Sequence, residues 1–264
     1  MKNPGVFRRC ARCSFPLFLL ASCAVQSEDR VLSAAGTVER VDLRDEIRRR
    51  GMEVRDQGAA RPTCSVFAMT FLLEWAYTGK QDPSRTGGRK CNDLSEAYLN
   101  HGANVATERT DDGDFFENID CGFTQYGIVP ERALPYDKDK VYDCAKTAIP
   151  PSLVEEGRRF RRETLPVKGR FIKAWSKDNP GLTDAQFNEI LDCLRRGIPV
   201  AIGRDHSMVA VGFERDNAHP GGGRFILRDS RGKSSGDQGY YMESFESLKT
   251  TTFDAFVYEK TERP

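Results

Sequence analysis

The 264-residue sequence predicts an α+β fold, with helices filling the first half and short strands the second. Three observations carry this expectation. The run CSVFAMTFLLEWAYT, residues 64 to 78, is apolar on nearly every side, which marks a helix buried in a core. Five short β-rich segments, bounded by Gly, Asp and Pro, crowd the last seventy residues. Segments of the two kinds are separated along the chain instead of alternating, which gives α+β and two lobes meeting at a cleft.

The first 24 residues stand apart. Lys2, Arg8, Arg9 and Arg12 precede the apolar stretch Phe15 to Ala21, the layout of a secretory signal. The stretch is too short to span a bilayer. Leu20, Ala21, Ser22 and Cys23 resemble a bacterial lipoprotein signal, which would leave Cys23 lipidated as the first mature residue. Cleavage after Ala24 is the competing exit. The expected organisation is a signal over 1–24, a short polar linker over 25–40 and one domain over 41–264. Export is expected, either free or attached to a membrane through the lipid on Cys23.

The helix from Cys64 is stopped by Gly79. LSEAYLNHGAN reads as a second helix with Ser95 as its N-cap, and FFENIDCGFTQYG as a third. Pro130, Pro135, Pro150 and Pro151 break the next stretch into loops. LTDAQFNEILDCLRRG has a helical pattern, in which Cys193 reads as a small buried apolar residue. The strands are residues 198–203, 207–214, 223–229, 239–245 and 255–260.

Charge excludes little but says something. With 40 Lys and Arg against 39 Asp and Glu, the net charge is +1, so nothing global points to nucleic acid. The clusters Arg48–Arg50 and Arg158–Arg162 read as solvated faces. Of eight cysteines, Cys10, Cys13 and Cys23 fall in the signal. Cys64, Cys91, Cys121, Cys144 and Cys193 remain; the number is odd, so at least one thiol lacks an intramolecular partner. In an exported chain up to two disulfides are possible. No pair of CxxC motifs suggests zinc, and no metal or organic cofactor is expected.

One of these thiols stands out. Pro62 and Thr63 set Cys64 at the first turn of the buried helix, where unpaired N–H groups and the helix dipole favour an anion. A thiolate there has a lowered pKa, and the thiolate is the nucleophile. Such a nucleophile needs a base, and the base needs a partner to orient it. His206, just ahead of a strand, is the candidate base; His101 and His219 read as surface residues.

With these residues in place, the chain resembles the papain-like cysteine peptidases from about Val41 to Tyr258. VDLRD and VRDQG look like the family's mature N-terminus, LSEAYL like its second helix, and QYGIVPERALPY like the segment ending in a Tyr-Pro-Tyr-like motif. DHSMVAVGF resembles its histidine strand, and FILRDSRGKSSGDQGYYM the strand and turn bearing the third catalytic residue. The resemblance implies Cys64 as nucleophile, His206 as base, Asp229 as orienting residue and Gln57 as oxyanion donor. It also implies Gly113 as a backbone contact for substrate. Between Cys64 and His206 lie 142 residues, and between His206 and Asp229 a further 23.

The chain departs from the family pattern in several places. The C-G-S-C-W signature is absent, and so is the upstream disulfide cysteine; Arg61-Pro62-Thr63-Cys64 looks more like bacterial relatives. Asp229 replaces the usual Asn, and Arg231 replaces the indole that follows, leaving the Asp229–His206 contact either wetter or paired with Arg231. What the resemblance implies is a thiol peptidase acting on peptides or proteins; with the N-terminal signal it is expected to be exported, and a monomer is expected. An inactive papain-like peptide- or protein-binding chain and a thiol acyltransferase or amidase on the same fold are the alternatives.

Overall fold

A computed structural model describes residues 39–78, 93–140, 142–164 and 166–261. The chain opens with strand β1 (Arg40–Asp42) and helix α1 (Arg44–Arg49), then runs extended to α2 (Cys64–Thr78), α3 (Glu96–Thr107) and α4 (Phe116–Tyr126). Helix α5 (Pro151–Glu163) and strand β2 (Val167–Lys173) lead to α6 (Asp184–Arg195). Strands β3 (Val200–Gly203), β4 (Met208–Arg215), β5 (Gly223–Arg228) and β6 (Tyr240–Ser244) follow, then α7 (Phe245–Thr251) and β7 (Asp254–Lys260). Helices therefore precede most strands, as the sequence predicts.

The seven strands form one antiparallel sheet in the order β2-β7-β3-β4-β5-β6, with β1 pairing the far half of β4. Each face of the sheet holds its own core, because strand side chains alternate. Ala201, Val209, Val211, Ile226 and Phe256 face α2, α3 and α4. Val200, Ile202, Ala210, Phe225, Leu227 and Val257 face α6 and α7. An irregularity in the pairing between Ala210 and Gly212 resets the alternation, so that Phe213 joins the second core although Val211 belongs to the first.

Helix α2 has no exposed face. From Ser65 to Tyr77 every residue is buried, so its position is fixed on all sides. Each fully buried large apolar side chain contributes about 1.5–3 kcal/mol. Helix α3 begins at Ser95, whose hydroxyl accepts from Tyr98 N at 2.9 Å.

Several elements differ from expectation. Pro151 starts α5 instead of breaking it; a proline fits the first helical position because its missing N–H is unpaired there anyway. Strand β6 ends at Ser244, whose side chain caps α7, so Phe245 is helical. Strand β2 lies inside a stretch with no clear alternation. Arg40, assigned to the linker, already pairs with Glu214. Cys64, Cys121, Cys144 and Cys193 are free thiols, so no disulfide joins two of the described residues; Cys91 lies outside them. Cys193 is fully buried. The signal region and Cys23 also lie outside the described residues.

Candidate active site

Helix α2 begins at Cys64, and its first-turn N–H groups have no partners within the helix. The thiol therefore sits at the positive end of a rigid rod. The sheet supplies what faces it. Val209 on β4 pairs with Arg228 on β5, so the segment just before β4 and the residue just after β5 meet at one sheet end. That register brings His206 and Asp229 together: His206 Nε2 donates to Asp229 Oδ1 at 2.5 Å. The other side of the imidazole hydrogen-bonds Cys64, and Ser207 N–H donates to Cys64 Sγ at 3.4 Å.

The electrostatics of the trio follow from these contacts. Burial pushes the Cys64 thiol up, but the hydrogen bonds from His206 and Ser207 and the imidazolium charge outweigh it and hold it below its ordinary value. Burial pulls His206 down, yet Asp229 on one side and Cys64 on the other raise it to about 9. Burial raises Asp229 too, and the donors around it bring it below the usual carboxylate range. Both shifts favour the thiolate–imidazolium pair over the neutral one.

Asp229 is 1% exposed. Oδ1 also accepts from Ser230 N at 2.7 Å, and Oδ2 accepts from Ser235 Oγ at 2.9 Å. With the Ser235 proton spent on Asp229, Tyr241 is the donor in the 2.8 Å contact between the two hydroxyls. Arg231 is not among the partners of Asp229; it is exposed and its backbone bridges Asp56. The carboxylate is therefore dry and held by serines instead of being wet or paired with a guanidinium.

Gln57 lies beside Cys64 and is fixed at both ends of its amide. Oε1 accepts from Ser230 Oγ at 2.6 Å, and Nε2 donates to Arg61 O at 2.7 Å. One amide hydrogen is left for another acceptor. Arg61, 4% exposed, makes a bidentate pair with Asp112 at 2.7 and 2.8 Å and donates to Asp137 O. This buried ion pair ties down the loop that the sequence leaves without a cysteine.

Gly113 lines the cleft beside Cys64, but its N–H is occupied by Asn100 Oδ1 at 3.0 Å. Its φ of 73° and the close approach of Pro62 O explain why glycine stands there. The N–H is therefore not free for substrate. His101 is not a plain surface residue: it is half-buried, bonded through Nδ1 to Tyr142 OH, and lowered by burial. His219 pairs with Asp216. Neither lines the cleft.

Two cavities flank Cys64. One, of about 850 Å³, is bordered by Gln57, Lys138, Asp205, His206 and Arg231. The other, of about 280 Å³, runs between Phe115 of the helical side and Trp175 of the strand side to Asp254. The two rings lie 4.8 Å apart and are 41% and 45% exposed. Asp254 Oδ1 occupies the space a side chain at position 203 would need, which Gly203 leaves open. Ser207, Ser235, Tyr241 and Asp254 escaped the sequence reading, because ordinary residue types in separate loops give no local signal.

No family model and no curated protein matches the chain. Solved structures do. Xylellain, a cysteine protease from Xylella fastidiosa, superposes with a TM-score of 0.60 at 14% identity, covering 86% of this chain and 88% of that one. The chain has the papain-like cysteine protease fold. Procathepsin L 3 of the Tenebrio molitor larval midgut gives 0.53 at 18% identity, over 89% and 72%. The proform of the ragweed pollen allergen Amb a 11, a cysteine protease, gives 0.55 at 20%, over 85% and 67%. At such identities the likeness concerns the papain-like architecture, a helical layer against an antiparallel sheet, and not the chemistry of individual residues. Among the described residues no helix is long and apolar enough to cross a membrane.

Proposed function

We propose that the protein is a thiol peptidase that hydrolyses peptide bonds through Cys64, His206 and Asp229. The observation that carries this reading is the hydrogen-bonded line from the α2 terminus through His206 to a buried carboxylate, with the thiol lowered and the imidazole raised. Cys64 thiolate attacks the peptide carbonyl. The remaining Gln57 amide hydrogen and the N–H of Cys64 stabilise the oxyanion. His206 protonates the leaving amine, then takes a proton from the water that opens the thioester. Asp229 holds the ring in the required tautomer.

The substrate lies across the α2 terminus, with side chains in the two flanking cavities. The segment 1–24 we read as an export signal, with Cys23 as lipid acceptor and 41–264 as the peptidase domain; metabolic labelling with a fatty-acid analogue, abolished in Cys23→Ala, tests the anchor. The hydrolase reading is tested with an electrophilic peptide probe and a peptide library. Cys64 is expected to be labelled and hydrolysis to be measurable, and Cys64→Ala abolishes both while leaving the circular dichroism unchanged. Undiminished turnover in Cys64→Ala sinks the proposal. Labelling without any hydrolysis, but with transfer to an added amine, moves the assignment to an acyltransferase.

A further inference from the structure

At the far end of α2, about 16 Å along the helix from Cys64 at 1.5 Å per residue, lies a cavity of about 600 Å³. It shares no lining residue with the two cavities of the cleft. Five cations surround it: Arg50, Lys168, Arg170, Arg196 and Lys260. Glu259 is the one carboxylate in its wall. It is divided between Arg170 at 3.3 Å and Arg196 at 3.1 Å. From outside the wall, Glu189 pairs with Arg170, and Glu46 pairs with Arg50 at 2.6 Å.

Lys168 and Lys260 have no carboxylate partner among the described residues. They stand on neighbouring strands at the β2 edge of the sheet. Burial and the nearby Arg50 hold Lys260 below its ordinary value, so the cations here repel one another. Arg50 is itself fixed: its guanidinium stacks 3.8 Å over the Trp75 ring and donates to Trp75 O. Trp75 Nε1 in turn donates to Gly197 O at 2.9 Å. Arg50 is therefore fixed in the wall, and the exposed Lys168 and Lys260 are free to reach a ligand beside it.

Gathering like charges around a concavity raises the energy of the empty fold, and an anion that enters reverses that. Three guanidinium forks and two ammonium groups suit clustered oxyanions, which accept bidentate and point-charge contacts together. We propose that this cavity is a binding site for a small multivalent oxyanion of the diphosphate class. The site rests on the fold alone and is independent of the peptidase reading. The phosphate is either that of a free small molecule or that of an anionic lipid headgroup.

The experiment measures binding of inorganic pyrophosphate to the full chain by calorimetry, at ionic strength matched with chloride. Co-sedimentation with phosphatidylcholine vesicles, with and without cardiolipin, whose headgroup carries two phosphates, is run beside it. Saturable binding is expected in at least one arm. The double variant Lys168→Ala/Lys260→Ala should weaken it about a hundredfold, roughly tenfold for each ammonium group removed. Arg132→Ala, an exposed cation outside the cavity, should leave it unchanged. Saturable pyrophosphate binding identifies a free ligand, and vesicle binding alone identifies a headgroup. The proposal is overturned by no binding in either arm, or by binding that the double variant retains while its melting temperature stays normal.

Discussion

Asp229 is the residue at which charge is most consequential. As a carboxylate it stabilises the imidazolium, which is why His206 stays protonated up to about 9. Asp229→Asn keeps an acceptor for the ring and removes the charge. The variant is expected to stay active, with the basic limb of its pH–rate profile moved to lower pH because imidazolium is lost sooner. Ser235→Ala has the opposite sign. It strips one of the donors from Oδ2, leaves the carboxylate more basic, and moves the basic limb upward. It also costs about 1 kcal/mol of stability by removing a partly buried hydrogen bond. Profiles of kcat/KM for both variants check the pair. Shifts in the same direction would mean that Ser235 acts on the loop and not on the charge. The Asp229–His206 spacing was legible in the sequence, whereas Ser235 was not. Its contact depends on how the turn after β5 folds back, and a serine six residues on carries no signature of that.

At the scale of elements, the loop before α2 is held by Arg61. Its partner Asp112 is 10% exposed, so Arg61→Leu strands a carboxylate in a dry site. A loss of about 3–5 kcal/mol is expected, as for other buried pairs broken on one side. It should appear as a lower urea midpoint with an unchanged slope. Cys64→Ala in the same assay should differ little from the parent. On the other side of the cleft, the start of β7 carries Asp254, which burial raises to about 7 against the pull of Lys173. Arg109 and Arg204 line the same cavity but pair with Asp114 and Glu243. The carboxylate forms as pH rises through 7, so preference for a basic substrate side chain should grow between pH 6 and 8. Paired peptides carrying lysine or norleucine test it: the ratio of their kcat/KM values should rise with pH and become flat in Asp254→Asn. A flat ratio in the parent chain would show that Asp254 does not meet the substrate. Helices α2, α3 and α6 were readable because burial and caps leave strong patterns. Helix α5 was not: it is basic, buries only Gly157, and starts at a proline that also reads as a break.

For the molecule as a whole, the sheet is the part the sequence conveys best and least evenly. Strands β3, β4, β5 and β7 are inner strands packed on both faces, and their continuous apolar runs give them away. Strand β2 is an edge, with Lys168, Gly169 and Arg170 at its middle, and nothing in that run looks like a strand until β7 is beside it. The order of the motifs pointed to the architecture through the resemblance they carry, and the helix of Cys64, the strand after His206 and the turn at Asp229 do meet at one sheet end. Which side chains line the cavities was hidden, since they converge from loops far apart in the chain.

The described thiols are unpaired, and the loop next to Cys64 is fastened by an ion pair. Architecture and reactivity are therefore separated with respect to oxidation state. A reductant has no crosslink between described residues to cut, so it leaves the scaffold alone. Cys64, whose thiol is held below its ordinary value at the cleft, is the expected target of an oxidant, and its conversion to a sulfenic acid would remove the proposed nucleophile. If Cys64 carries the proposed activity, peroxide should switch that activity off in a folded chain, and a thiol reagent that reverses the sulfenic acid should restore it without refolding.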